Sequence, residues 1–234
     1  MPSSDVKASR RKTIKRCRNF EVVLTINSTN RKTAIIGAGG HACAVAVLAK
    51  ILHIAVDHFL DVSAELQGEE FYNIPVKGTT SDADERFDTF IGIGDNAIRK
   101  RIDDSYNGLR YNTFVHPSAI ISEGVDIGYG TVIMAGAIIQ PGAKIGNHVI
   151  VNSGVVVEHD CTLGDYSHIA ANATMAGSCD LQEGAFVGIN ACVIEGKTVS
   201  AWSKVGAGAC VINDIPLNCA AVGVPAKPIK FYNE

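Results

Sequence analysis

From Val115 onward every sixth residue is aliphatic or Met: Val115, Ile121, Ile127, Ile133, Ile139, Ile145, Val151, Val157, Leu163, Ile169, Met175, Leu181, Val187, Val193, Val199, Val205 and Val211. The series holds for seventeen positions without an insertion. Four residues after each, the side chain is mostly small, as at Ala137, Ala143, Cys161, Ser167, Ala173, Cys179, Ala185, Ala191 and Ala209. A helix needs a period of about 3.6 and a half-buried strand a period of about 2, and neither fits. A period of six describes a short flat strand followed by a tight corner. Three such units close a triangular coil, and coils stack at a β spacing of about 4.8 Å. The spacing predicts a β-helix over residues 113–216, roughly five and two-thirds coils, with a C-terminal cap over 217–234.

Upstream, the pattern changes to that of an α/β domain over residues 32–112. Lys32–Gly37 reads as a short buried strand leading through Gly37-Ala38-Gly39-Gly40-His41 into an apolar helix from Ala42 to Leu52. Ala55–Asp61 reads as a second strand with an acidic end, and Phe87–Ile93 as a third, followed by Gly94-Asp95-Asn96 and a helix over Ala97–Ile102. Strands alternating with helices indicate a parallel sheet. Glycines at a helix N-terminus let a backbone approach phosphate closely. His41 is placed to contact a ligand or to stand at the start of the helix in solvent. About 80 residues make only half of a dinucleotide fold, so a mononucleotide fits better than NAD.

Composition sharpens this picture. Aromatic residues are 6% of 234 and glycines number 23, so Val, Ile and Ala must fill the interior, as stacked coils require. No apolar run approaches the roughly 18–20 residues of a membrane span. The formal net charge is −3, which gives no general attraction to nucleic acid. The charge is uneven: residues 1–32 are net +7 and the rest net −10. Residues 1–31 read as a poorly ordered basic extension, not a secretory signal, because Val22-Val23-Leu24 is too short an apolar core. Seven cysteines without an export signal predict a reducing, cytoplasmic setting. Cys161 and Cys179 fall at the small inward position of adjacent coils. Cys192 and Cys210 fall in adjacent coils at a corner, and both pairs are expected to be reduced.

Polar groups are scarce on the repeat, so its histidines stand out. His116 and His148 read as structural or exposed, with no neighbouring group to tune them. His159 lies between two carboxylates in Val157-Glu158-His159-Asp160-Cys161. A carboxylate bonded to one ring nitrogen raises basicity at the other, as a general base requires. His168 lies half a coil further on, so the two side chains stand far apart on one prism and share a site only between packed subunits. That spacing predicts an oligomer, with a cyclic trimer repeating the cleft. No CxxC pair occurs, and the spacing of His148, His159 and His168 does not match the three-histidine zinc sites of β-helix carbonic anhydrases, so no metal is expected.

Ile-Gly-Asp-Asn-Ala-Ile-Arg-Lys (93–100), Phe-Val-His-Pro-Ser-Ala (114–119), Val-Glu-His-Asp-Cys (157–161), Gly-Asp-Tyr-Ser-His-Ile (164–169), Val-Gly-Ile-Asn-Ala (187–191) and Val-Gly-Val-Pro-Ala-Lys (222–227) carry a resemblance. They resemble the hexapeptide-repeat sugar acetyltransferases, which include nucleotide-linked aminosugar N-acetyltransferases of the bacillosamine and perosamine type and sialic acid O-acetyltransferases. The resemblance covers about residues 32–231. It implies a Rossmann-like half domain followed by a left-handed parallel β-helix. It implies acetyl-CoA as donor and a homotrimer. The acceptor would be the 4-amino group of a nucleotide-linked, UDP-type 4-amino-6-deoxy sugar, in surface glycan synthesis. His159 would be the base and Asp160 its support, where the family often has Glu. Gly39, Gly40, His41, Asp61, Val62 and Gly94 would hold the nucleotide, and Asn152 would help place the sugar. His168, Ile189 and Ala207 would line the acetyl-CoA cleft between subunits. O-acetylation of a sugar such as sialic acid is the alternative within the class. A non-catalytic trimeric scaffold is the alternative outside it.

Overall fold

The computed structural model describes residues 31–106 and 108–232; the basic extension, Arg31 apart, and Cys17 lie outside the described residues. The N-terminal half is a four-stranded parallel sheet of β1 (Thr33–Ile36), β2 (Val56–Leu60), β3 (Asp88–Ile91) and β4 (Arg110–Tyr111) in the order β2-β1-β3-β4. Helix α1 (Gly40–Ile51) crosses from β1 to β2, and α2 (Asn96–Ser105) follows β3. Both helices start earlier than the apolar pattern suggests, because Gly39 and Asp95 are the N-caps. The Asp95 carboxylate accepts from the Ile98 N–H at 2.9 Å.

From Phe114 the chain is a left-handed parallel β-helix. Each residue of the six-residue series is the second of a two-residue strand, from Phe114–Val115 to Cys210–Val211. Each strand up to Cys192–Val193 pairs with the one 18 residues on, as in Ile133↔Val151, Val151↔Ile169 and Ile169↔Val187. The series residues and the small residues behind them form one continuous buried core. Burying each aliphatic side chain there is worth about 1.5–3 kcal/mol.

The first residue of each strand points outward, and the three faces differ in what they present. The first face carries Phe114, Val132, Ile150, His168, Phe186 and Lys204; its first three residues are buried with α1 in a shared core containing Ala42, Val45 and Ala49. The third face is polar, with Asp126, Lys144, Thr162, Asp180 and Thr198. The second face carries Ile120, Ile138, Val156, Thr174, Cys192 and Cys210, and no described element covers it; Ile120 is 62% exposed. The cap is an antiparallel pair, Cys219–Val222 with Lys227–Phe231, which extends the first face.

Two expectations need correction. Cys192 and Cys210 do stack, but on outward strand positions of the second face, not at a corner, because each directly precedes a series valine. Both are free thiols, as are Cys161 and Cys179 in the core.

His148 and His116 do have polar neighbours within reach. His148 is fully buried at a corner with φ 52°, its ring parallel to Tyr166 and edge-on to Tyr111 and Tyr129. Its Nε2 lies 3.4 Å from Asp103, whose carboxyl also accepts from the Tyr166 hydroxyl at 2.6 Å. These partners come from α2 and from the next coil, so linear spacing does not reveal them. His116 Nδ1 accepts from the Ser118 N–H at 3.1 Å.

Candidate active site

The carboxyl ends of the parallel strands gather the first group of predicted residues. Gly39, Gly40 and His41 follow β1, Asp61 and Val62 follow β2, and Gly94 follows β3, so all six lie along one edge, where ligands of open α/β sheets sit. Asp61 ties two of these loops together: one carboxylate oxygen accepts from the Ala38 N–H at 2.8 Å and the other from the Ser63 N–H at 2.9 Å. A β-carbon on Gly39, Gly40 or Gly94 would meet nothing within 4 Å, so these glycines leave open space above the backbone. Gly92, which no sequence motif marks, is held differently. A β-carbon there would press on Ala42 at 2.8 Å, so its bareness lets α1 close onto β3.

His41 and His168 sit beneath this edge, where the sheet meets the first face. Burial, reinforced by the Arg99 charge, lowers the His41 pKa to about 4 and the His168 pKa to about 3, so both rings are neutral near pH 7. His41 Nε2 is buried without a hydrogen-bond partner, the His168 ring lies against the Gly94 backbone, and Phe186 packs edge-on to the His168 ring at 5.1 Å. Arg99, 1% exposed, organises this floor. Its guanidinium donates to the carbonyls of Ile93, Gly94, His148, Tyr166 and Ser167 and to Asn96 Oδ1. Asn96 in turn donates to the Gly184 and Ala185 carbonyls. Together they lock the loop after β3 to three coils of the β-helix. Arg99 lies in the 93–100 motif, but the sequence gives it no role, because a charged residue on a short helix normally reads as solvated.

His159 stands at the corner between the second and third faces. Asp160, in the left-handed region at φ 59°, turns its carboxylate back onto the ring, with Oδ2 2.9 Å from His159 Nδ1. That hydrogen bond, together with the charges of Asp160 and Glu158, raises the His159 pKa above its ordinary value and leaves Nε2 facing out. The side chain is 60% exposed. Two bare backbones make room for the pair. A β-carbon on Gly177 would lie 2.6 Å from the His159 ring, and one on Gly142 would lie 2.4 Å from Asp160 Oδ1.

The remaining residues divide between two sites. Asn152, Ile189 and Ala207 occupy the corner between the first and second faces, one strand length across the second face from His159. Ile189 and Ala207 are exposed and lie 18 residues apart, one above the other, while Asn152 spends its side-chain oxygen on the Ser153 N–H at 2.8 Å. His168 lies on the first face, opposite the His159 corner. Within one chain, then, the imidazole and the exposed pair flank opposite edges of the uncovered second face. Among the described residues no cluster of three metal-ligating side chains occurs, and no helix is long and apolar enough to cross a membrane.

Comparison with known proteins agrees with this two-part layout. Residues 32–106 match the PglD N-terminal domain family, and residues 142–177 match the bacterial transferase hexapeptide (six repeats) family. The acetyltransferase domain of PglB from Neisseria gonorrhoeae is 37% identical, with 86% of this chain and 100% of that one aligned and a TM-score of 0.80; it has also been solved with acetyl coenzyme A. A histidine mutant of perosamine N-acetyltransferase from Caulobacter crescentus, solved with CoA and GDP-perosamine, is 33% identical over 86% of this chain and 98% of that one, with a TM-score of 0.81. No curated protein matches the chain. With the uninterrupted six-residue register and identities above 30% over nearly the full length of these enzymes, the chain belongs to the hexapeptide-repeat sugar acetyltransferases that carry a PglD-type N-terminal domain.

Proposed function

We propose that this protein transfers the acetyl group of acetyl-CoA to the 4-amino group of a nucleotide-linked 4-amino-6-deoxy sugar, with UDP as the carrier, and that it works as a homotrimer. The observation that carries the reading is the His159–Asp160 pair, held at 2.9 Å on a glycine-cleared corner beside an uncovered apolar face. A sugar ammonium is not a nucleophile. His159 Nε2 takes the proton as the nitrogen attacks the thioester carbon, and Asp160 steadies the imidazolium that forms. The tetrahedral oxyanion accepts from a backbone N–H of the coil carrying Gly177. Collapse breaks the C–S bond and expels the CoA thiolate, which takes up the proton held on His159 and leaves as the thiol, and no acyl-enzyme forms. Cys161 is no candidate nucleophile, since it is buried in the core and its thiol pKa is pushed up by Cys179 and by burial.

The faces support a trimer. The first is covered by the chain's own α/β domain and the third is polar, so the apolar second face is the one that needs a partner. Packing it against another copy brings the His159 corner of one protomer toward the corner carrying Ile189 and Ala207 of the next. Acetyl-CoA lies in that crevice, and the nucleotide lies on the loops of Gly39–His41, Asp61–Val62 and Gly94. The domains divide as 32–112 for the acceptor nucleotide, 113–216 for donor and chemistry, and 217–234 as cap.

Mass spectrometry of a panel of UDP-, GDP- and CMP-linked sugars incubated with acetyl-CoA tests the reading. An acetylated UDP-linked 4-amino sugar is the expected product. The GDP-perosamine complexes of the relative make GDP the first alternative carrier. Acetylation of hydroxyls alone would replace N- by O-transfer, and no product with any acceptor would leave only the scaffold.

A further inference from the structure

Arg99 is a buried cation that the proposed mechanism does not use. It is 1% exposed, and its six hydrogen bonds among the described residues go to five backbone carbonyls and the Asn96 side chain, none to a carboxylate. A buried charge without a counter-ion costs more than a neutral group tying the same segments together, so packing alone does not account for it. Burial lowers its pKa to about 10, which still leaves it charged near pH 7. The guanidinium joins the two segments assigned to the two substrates. On one side Nη1 donates to the Gly94 carbonyl at 3.2 Å, in the loop after β3. On the other, Nη2 donates to the Ser167 carbonyl at 3.3 Å, one residue before His168. The His168 ring itself lies against the Gly94 backbone, so loop and imidazole meet at the group that Arg99 holds.

We infer that Arg99 is a positioning residue for acetyl transfer: its guanidinium fixes the acceptor loop at Gly94 and the donor-side imidazole of His168 in one frame. The inference rests on the acetyl-transfer reading, which assigns Gly94 to the nucleotide and His168 to the acetyl-CoA cleft. Because the hydrogen bonds run to backbone carbonyls, a shift of the guanidinium moves the main chain on both sides at once. Its charge has a second effect. Together with burial, which is the larger influence, it keeps His168 and His41 neutral near pH 7, with values near 3 and 4. Fully buried, Arg99 touches neither substrate itself and acts through the groups it holds.

The test compares R99K and R99Q with the full-length wild type. N112A is the control, because the buried Asn112 amide donates to Thr33 Oγ1 at 2.8 Å at the amino end of the sheet, away from both segments. R99K keeps the charge and reaches fewer carbonyls, and R99Q removes the charge. kcat is expected to fall roughly tenfold in R99K and roughly 100-fold in R99Q, the range for reacting groups misplaced by up to an ångström. The acceptor KM should rise while the acetyl-CoA KM holds, and N112A should lower the melting temperature with all these constants unmoved. Arg99 variants that lose thermal stability yet keep the wild-type kcat and acceptor KM overturn the assignment, and so do equal kinetic losses in N112A. R99K carries the test if R99Q does not fold. Titration calorimetry with UDP and GDP reads the same loop without the reaction: the nucleotide that the wild type binds should bind about tenfold more weakly to R99K. Equal binding by the two proteins also overturns the assignment. A wild type that binds a nucleotide more tightly than R99K does, but acetylates no aminosugar, sinks the acetyl-transfer reading and leaves the hold of Arg99 on Gly94 standing. If the wild type binds neither nucleotide, both fail.

Discussion

The bare α-carbon of Gly177 lies directly against the imidazole of His159, close enough that a methyl group there would come within 2.6 Å of Nε2. One coil thus shapes the surroundings of the imidazole in the coil before it. Gly177 is outside the left-handed region, so alanine fits its backbone and only the ring must move. Gly177→Ala should leave the melting temperature within about 2 °C, since a tolerated backbone adds little strain, and lower kcat/KM roughly 100-fold, the usual effect of misplacing a reacting group by an ångström. An unaltered kcat/KM would detach His159 from the reaction.

Removing the proposed base itself should cost more. His159→Ala is expected to lower kcat by roughly 10²–10⁴, the weight of a general base, with folding unchanged because the side chain is exposed.

The pH profile has a definite sign. In the proposed mechanism His159 must be neutral to act, and Asp160 raises its pKa, so kcat/KM should climb with pH through an apparent pKa above 6.5. In Asp160→Asn the main raising influence is gone, and the limb should move down toward 6.5 while the plateau rate falls. His41 and His168, with values near 4 and 3, ionise too low to shape this limb. A limb that stays in place in Asp160→Asn would disprove the pairing.

Assembly is tested on the second face. Ile138→Lys puts a charge on the uncovered apolar ladder and should shift the protein toward monomer in analytical ultracentrifugation, with loss of acetyl transfer. Thr162→Lys, on the polar third face, should change neither.

Asp61 offers a separate handle on the nucleotide edge. Asp61→Ala frees the Ala38 and Ser63 N–H groups and should destabilise the loops by about 1–3 kcal/mol, the range for donors left without partners. The nucleotide-sugar KM should rise while the acetyl-CoA KM holds, which steady-state kinetics will resolve.

The coils are legible in the sequence because one spacing recurs at Val115 and every sixth residue after it, and stacked strands demand that regularity. His159 stands out because its carboxylate neighbour is adjacent in sequence. What stays hidden depends on contacts between distant segments. The Arg99 guanidinium joins residues 49 to 68 positions away, and His148 meets Asp103 only because α2 docks on the corner. A corner reading misplaces Cys192 and Cys210 by one structural step, as the residue before a series valine lies on a strand. Asn152, which the resemblance assigns to the sugar, has its side-chain oxygen in a turn with Ser153 that the sequence does not announce.

A column wound at fixed pitch also acts as a ruler. Inserting six residues would carry everything downstream onto the neighbouring edge, and a single added residue would turn the interior outward. Only an entire 18-residue winding can be gained or lost without scrambling the windings above it. Each such gain would lift the cap by about 4.8 Å relative to His159, so the number of windings sets how far the two stand apart.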